Sequence, residues 1–118
     1  MTAVTRLGAS FSETERMDTR IRTLIPAEFR GEGRNGITGK GQVRNVSEGG
    51  LFVGTKAIPE EGDSVSLKLS APGYGVIDVT GLVWWTTNEV VVRTRRWGFG
   101  LRVLESSDAY QRLVADLR

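Results

Sequence analysis

The sequence predicts a mainly β domain of about six short strands, followed by one C-terminal α-helix. Apolar and polar residues alternate over several short segments, which is the period of a half-buried strand. Glycine accounts for 15 of the 118 residues without forming a repeat, which indicates many tight turns. Near the C-terminus the apolar spacing changes to that of a helix face. A chain of this length suits one domain with its own core.

The first strands follow a polar segment. Residues 1–14 show no apolar period and are expected to be a flexible lead, whereas residues 15–118 are expected to form the domain. Pro26 indicates an edge position or a strand start for the first strand. A glycine-rich loop is predicted at 31–41 and a tight turn at 47–50. The predicted strands of this half span about 23–30, 42–46 and 51–53.

The second half of the domain carries the clearest alternation, at residues 64–70. Gly81 lies within the next predicted strand and is expected to mark the bend that curls a sheet into a barrel. A turn is predicted at 87–89 and a basic connection at 93–96. The predicted strands of this half span about 64–70, 77–85 and 99–103, and the turn at 87–89 leads into an apolar run at 90–92.

A helix is predicted from about Ser107, with Ser106 or Ser107 as its N-cap. Asp108 falls in the first turn, where a negative charge is favoured by the helix dipole. The apolar stripe of this helix must pack on the barrel, since nothing else is available to cover it. The stripe consists of Tyr110, Leu113, Val114 and Leu117.

The composition excludes several classes of function. The chain contains no cysteine and no histidine, so a disulfide, a thiolate metal site and a Ser-His-Asp hydrolase are all excluded. Enzymatic activity is the least favoured class, because no residue set suggests a reaction, and no cofactor or metal is expected. Sixteen basic and fourteen acidic residues give a net charge of only +2, which is low for a nucleic-acid coat protein.

The cellular location is predicted from two kinds of apolar segment that the sequence does not show. No stretch approaches the roughly 18 apolar residues of a transmembrane helix. Residues 1–11 lack the apolar core of a signal peptide. We therefore expect a cytoplasmic protein without membrane insertion.

Two arginines four residues apart, Arg16 and Arg20, form the first candidate binding element, called here the arginine motif. A guanidinium offers a planar fork of donors that suits phosphate oxygens and the O6/N7 edge of guanine, and it can stack on a purine. Spacing alone favours a simpler interpretation, in which both arginines are solvated charges that pair with Glu15 and Asp18.

The second element is the segment from Asn45 to Gly50, called here the turn motif. Asn45 and Ser47 offer short donor and acceptor groups for a base edge or a ribose hydroxyl. Gly49 and Gly50 let the backbone approach a ligand. Taken alone, the segment is better interpreted as an ordinary turn with nothing bound, since these are the usual turn residues.

Together the arginine motif and the turn motif resemble the RxxxR and (D/N)xSxxG motifs of the PilZ family, bacterial receptors for the second messenger cyclic di-GMP. Residues 49–53 (GGLFV) and 98–103 (GFGLRV) also resemble strands of that family. The resemblance covers about residues 15–118. It implies a six-stranded antiparallel β-barrel with a C-terminal helix, and a non-enzymatic receptor with cyclic di-GMP as its ligand.

The resemblance also implies roles for single residues. Arg16 and Arg20 would contact phosphates and guanine edges of the ligand, while Asn45 and Ser47 would contact a guanine base or nearby backbone. Gly50 would leave space and allow the turn. By this hypothesis the arginine segment clamps the ligand, becomes ordered on the barrel and switches a partner-binding surface. The partner is unidentified, in motility, polysaccharide or developmental control.

Departures from the family pattern keep an alternative open. Many members that bind a stacked ligand pair carry an arginine where this chain has Glu15, so one or two ligand molecules remain possible. Asn45 replaces the commoner aspartate, and Arg22 adds a cation beside the arginine motif. The alternative is a PilZ-like adaptor that contacts proteins without binding nucleotide.

Three further clusters are interpreted mainly as structural. Trp84 and Trp85 should face opposite sides of a strand, with one in the core, although an exposed tryptophan also suits a partner contact. The acidic turn of Glu60, Glu61 and Asp63 is expected to be solvated rather than to bind metal. A basic run beside an aromatic residue is typical of proteins that bind single-stranded nucleic acid. The nearly balanced charge of the whole chain disfavours that function. That run consists of Arg93, Arg95, Arg96 and Trp97.

Overall fold

The computed structural model describes residues 20–32, 36–91 and 94–118, which form a closed antiparallel β-barrel with one helix. The barrel order is β1-β2-β3-β6-β5-β4, so the predicted fold class is confirmed. Among the described residues, no helix has the length and apolar character needed to cross a membrane. The elements are β1 (Ile21–Gly31), β2 (Thr38–Val46), β3 (Gly50–Gly54), β4 (Ser64–Ala71), β5 (Gly75–Val91), β6 (Thr94–Ser106) and α1 (Asp108–Leu117).

The core fills the barrel with the inward members of the alternating strands. Phe29 and Phe99 meet edge to face at its centre, with ring centroids 5.1 Å apart. Each buried side chain of this kind stabilises the fold by about 1.5–3 kcal/mol. Helix α1 closes one end of the barrel with the buried members of its predicted stripe, whereas Leu117 is 37% exposed at the helix end. The buried members are Tyr110, Leu113 and Val114.

Strand β2 starts earlier than the sequence predicts, because glycines that were expected in a loop lie inside it. It begins at Thr38, so the predicted loop at 31–41 is wrong in its second half. A Cβ at Gly39 would lie 2.7 Å from the Phe29 ring. Glycine is therefore present there to admit a core side chain rather than to make a turn.

Strands β5 and β6 form one long ribbon, which contradicts the turn predicted at 87–89. The ladder runs without a break from the Thr87–Gly98 pair to the Val91–Thr94 pair. The basic connection predicted at 93–96 is therefore also wrong within the described residues, since 94–96 belong to β6. The tryptophan, threonine and valine residues of this stretch favour a strand and override the turn signal of Asn88.

Two register shifts bend strand β5 against β6. One lies between Thr80 and Gly81, where the sequence predicts a bend. The other lies between Val83 and Trp85, and the extra residue of a bulge reverses which way the next side chains point. As a result Trp84 is 60% exposed and Trp85 is 39% exposed. The prediction that one of these tryptophans lies in the core is wrong.

Trp85 instead stacks on Phe52 outside the barrel, with ring centroids 5.2 Å apart and planes 16° from parallel. Gly100 is the register partner of both residues, so the two rings meet over a glycine. A Cβ on residue 100 would overlap the Trp85 indole.

Replacing Gly100 with alanine is therefore expected to displace the indole and separate the stacked pair. Since such aromatic pairs contribute about 0.5–1.5 kcal/mol, the free energy of unfolding should fall by about 1 kcal/mol. Urea titration and near-ultraviolet circular dichroism measure the two effects. An unchanged aromatic spectrum would contradict the stacking assignment.

Candidate functional site

Arg20 and the turn motif meet at the end of the barrel that helix α1 closes. Arg20 directly precedes β1, and the pairing of Ile21 with Val46 sets it beside the end of β2. Its Nη1 atom donates a hydrogen bond of 2.8 Å to Oδ1 of Asn45. This exposed hydrogen bond thus joins the side chains of two residues that lie 25 positions apart in the sequence.

The turn motif is closed by its own serine. The Ser47 hydroxyl donates to the Gly50 carbonyl over 3.0 Å and accepts from the Gly50 N–H over 3.1 Å. The Ser47 N–H donates to the same carbonyl over 2.8 Å. Ser47 is fully buried, so the hydroxyl is engaged inside the turn rather than displayed on the surface.

Gly50 leaves a bare patch of backbone beneath the Arg20 guanidinium. A Cβ here would lie 2.9 Å from the carbonyl oxygen of Leu101 and 3.6 Å from Nη2 of Arg20. The close approach of β6 therefore requires a glycine. Gly50 is itself buried, and the absence of a side chain lets the Arg20 guanidinium lie over its backbone.

The structure brings together most of the site residues predicted from the sequence. Arg16 and Glu15 lie outside the described residues, as does the predicted lead at 1–14. The residues that do converge are Arg20, Asn45, Ser47 and Gly50.

Arg102 and Trp84 extend this surface, and the sequence motifs did not reveal them. Arg102 is the register partner of Gly50 on β6, and its side chain is exposed. Its guanidinium carbon lies 5.1 Å from the centre of the Trp84 ring, within the range of a cation–π contact. In the sequence, Arg102 falls within the 98–103 segment that resembles a family strand, at an outward position of the alternating last strand.

The described surface around Gly50 is positively charged. Arg20 and Arg102 lie on either side of Gly50. Arg22 is also exposed, and it is the register partner of Asn45 in the β1–β2 pair. Glu48 forms an ion pair of 3.2 Å with Arg118. The arrangement has the charge and the donors to bind an anion with flat, hydrogen-bonding rings.

The family model of the PilZ domain matches residues 14–117. The chain belongs to the PilZ family. The resemblance stated from the arginine and turn motifs is therefore confirmed. A sequence search of curated proteins found no match.

Two solved structures have the same fold as this PilZ domain. The Bacillus subtilis inhibitor of motility, MotI/DgrA, is 17% identical with a TM-score of 0.66, over 87% of this chain and 49% of that one. The PilZ domain of YcgR from Escherichia coli, solved with c-di-GMP, is 16% identical with a TM-score of 0.63, over 87% and 91%. The chain thus spans about half the length of the Bacillus protein. At these identities the likeness is one of fold.

The remaining predicted clusters lie apart from the PilZ motifs. In the acidic turn, the Asp63 N–H donates to the Glu60 carbonyl over 3.1 Å. No group suited to hold a metal ion occurs among the described residues. Lys56 Nζ lies 5.0 Å from the Trp97 ring centre. Arg93, together with the side chains of Arg95 and Arg96, falls outside the described part of the chain.

A groove of about 820 Å³ lies on the outer face of β1, β2, β4 and β5, away from the PilZ motifs. Its lining carries three acidic and three basic side chains, so the charges balance in number. Lys68 pairs with Asp78 at 3.1 Å, and Ser66 donates to Glu32 over 2.6 Å. We place the functional site at the arginine and turn motifs, because the charge there is not balanced in this way.

Proposed function

We propose that this PilZ domain is a receptor module for cyclic di-GMP, as the sequence resemblance implies. The observation that carries the proposal is that the exposed Arg20 is hydrogen-bonded to Asn45 and lies over the side-chain-free backbone of Gly50. The YcgR domain of the same fold, solved with this ligand, adds support. The ligand has two phosphodiester charges and two guanine bases, which are the groups that such a surface recognises.

Each residue has a distinct task in this proposal. Arg20 and Arg16 contact phosphates and guanine edges through charge-assisted hydrogen bonds. Asn45 orients the Arg20 guanidinium through its Oδ1 and offers its amide NH2 group to a base. Ser47, which is buried, contributes by holding the turn, and Gly50 leaves room for the ligand.

Arg102 and Trp84 are proposed to supply a stacking surface next to Gly50. Replacing Arg102 with alanine should weaken ligand binding about tenfold, since it removes one cation and one flat group beside the ligand. Isothermal titration measures the change, and Arg112→Ala on the exposed side of α1 is the matched control. Equal affinities of Arg102→Ala and wild type would remove Arg102 from the site.

The switch and the cellular role are also proposals. The arginine segment clamps the ligand and thereby changes a surface that a protein partner contacts. A bacterial, cytoplasmic protein that controls motility, polysaccharide or development fits this scheme, and the fold is shared with a named inhibitor of motility. Binding rather than catalysis is proposed because the sequence has no histidine or cysteine to carry a reaction.

Titration of cyclic di-GMP into the purified protein, with GTP as the control ligand, tests the proposal. Selective, saturable binding at micromolar or tighter affinity is expected. The molar ratio then shows whether one or two molecules bind beside Glu15. An absence of heat together with an unchanged melting temperature would contradict the receptor function and favour the nucleotide-free adaptor.

A further inference from the structure

Helix α1 is fastened to the turn motif by one buried phenol. Tyr110 is fully buried, and its hydroxyl donates to the Ser47 carbonyl over 2.7 Å. The Gly50 carbonyl lies 3.4 Å from the same oxygen. The two carbonyls belong to the residues that begin and end the tight turn, so one side chain of the helix touches both ends of it.

Only a few covalent bonds and hydrogen bonds separate the Tyr110 hydroxyl from Arg20. Ser47 lies two residues after Asn45, which holds the Arg20 guanidinium. Gly50 supplies the bare patch next to Arg20. A shift of the Ser47 and Gly50 carbonyls therefore moves both the amide that orients Arg20 and the backbone over which the Arg20 guanidinium lies.

We propose that Tyr110 is a positioning residue for the ligand-binding surface, and that it acts by fixing the turn motif from inside the barrel. The inference rests on the proposed cyclic di-GMP function but concerns a residue outside both sequence motifs. Tyr110 does not touch the ligand. Its hydroxyl determines how the turn is presented to the ligand, and losing it lowers affinity more than it loosens the fold.

The chain contains a matched control for this effect. The Tyr74 hydroxyl donates to the Asp116 carboxylate, so it also joins the barrel to α1, but it lies away from the turn motif. That hydrogen bond, together with burial and the negative charge of Asp116, raises the pKa of Tyr74. Tyr110→Phe and Tyr74→Phe each remove one phenol oxygen from the contacts between helix and barrel.

Isothermal titration of the full chain with cyclic di-GMP is the first test. We expect Tyr110→Phe to bind about tenfold more weakly than wild type and Tyr74→Phe to bind like wild type, as suits the loss of a buried hydrogen bond. Melting temperatures are measured in parallel. Unchanged affinity in Tyr110→Phe would overturn the proposal. So would an equal loss in both variants, because that result would mean that general docking of the helix matters rather than the turn.

Hydrogen–deuterium exchange without ligand separates this inference from the receptor function. Tyr110→Phe should speed exchange in a peptide covering residues 45–52, while Tyr74→Phe should leave that peptide as in wild type. If wild type binds no cyclic di-GMP, the receptor function fails and this measurement alone decides the positioning role. Equal protection of residues 45–52 in Tyr110→Phe and wild type would then overturn it.

Discussion

Replacing both Arg16 and Arg20 with alanine is expected to weaken cyclic di-GMP binding at least ~100-fold. Hydrogen bonds to charged groups contribute about 1.5–3 kcal/mol each, so two of them amount to at least ~3 kcal/mol. The Arg20 guanidinium is oriented by the 2.8 Å hydrogen bond to Asn45. Arg16 stands four positions earlier in the sequence and is proposed to bind the second anionic group.

Isothermal titration at a fixed salt concentration measures the loss, because electrostatic binding depends on ionic strength. The double variant Arg30→Ala with Arg112→Ala is the matched control. It removes the same two charges from exposed positions on β1 and α1, away from the turn motif. Binding by the control should equal that of wild type. Near-wild-type affinity after loss of Arg16 and Arg20 would contradict the proposal that these arginines bind the ligand. An equal loss of affinity in the control would show that only the net charge of the protein matters.

The sequence predicted best those features that a short segment determines by itself. The alternation at 64–70 corresponds to β4 at Ser64–Ala71, and the apolar stripe of α1 buries Tyr110 as expected. The turn motif is equally local, since the Ser47 hydroxyl reaches Gly50 only three residues later. The apolar period of a strand or helix and the residue types that favour a turn depend only on neighbouring residues. Both can therefore be recognised without knowledge of the fold.

Features that depend on strand register could not be read in this way. Arg102 joins the site only because β6 pairs with β3 so that it faces Gly50. A single bulge before Trp85 turns that residue outward, against the alternation of its strand. Tyr110 reaches Ser47 across 63 positions of sequence. Such contacts are set by which strands are neighbours and where a residue is inserted, and no local pattern records either.

Replacing Gly50 with valine is expected to weaken cyclic di-GMP binding at least ~100-fold and to destabilise the fold. The new Cβ would meet the Leu101 carbonyl oxygen at 2.9 Å, and this backbone atom cannot move without disturbing the β3–β6 ladder. Overpacking of this kind costs about 1–3 kcal/mol of folding free energy. The side chain would also occupy the space beside Arg20, so a charge-assisted contact and the open surface are lost together.

Urea unfolding measures the loss of stability, and isothermal titration measures the loss of ligand affinity. Gly50→Ala adds only a Cβ and should show smaller losses of both kinds. Ser70→Val is the control, since it adds a β-branched side chain at an exposed position of β4. Both properties of this control should stay near wild type. If Gly50→Val keeps its ligand affinity while losing stability, glycine at this position serves only the packing of β3 against β6. If the binding free energy falls by more than the free energy of unfolding, the position of Arg20 over Gly50 matters for ligand binding itself.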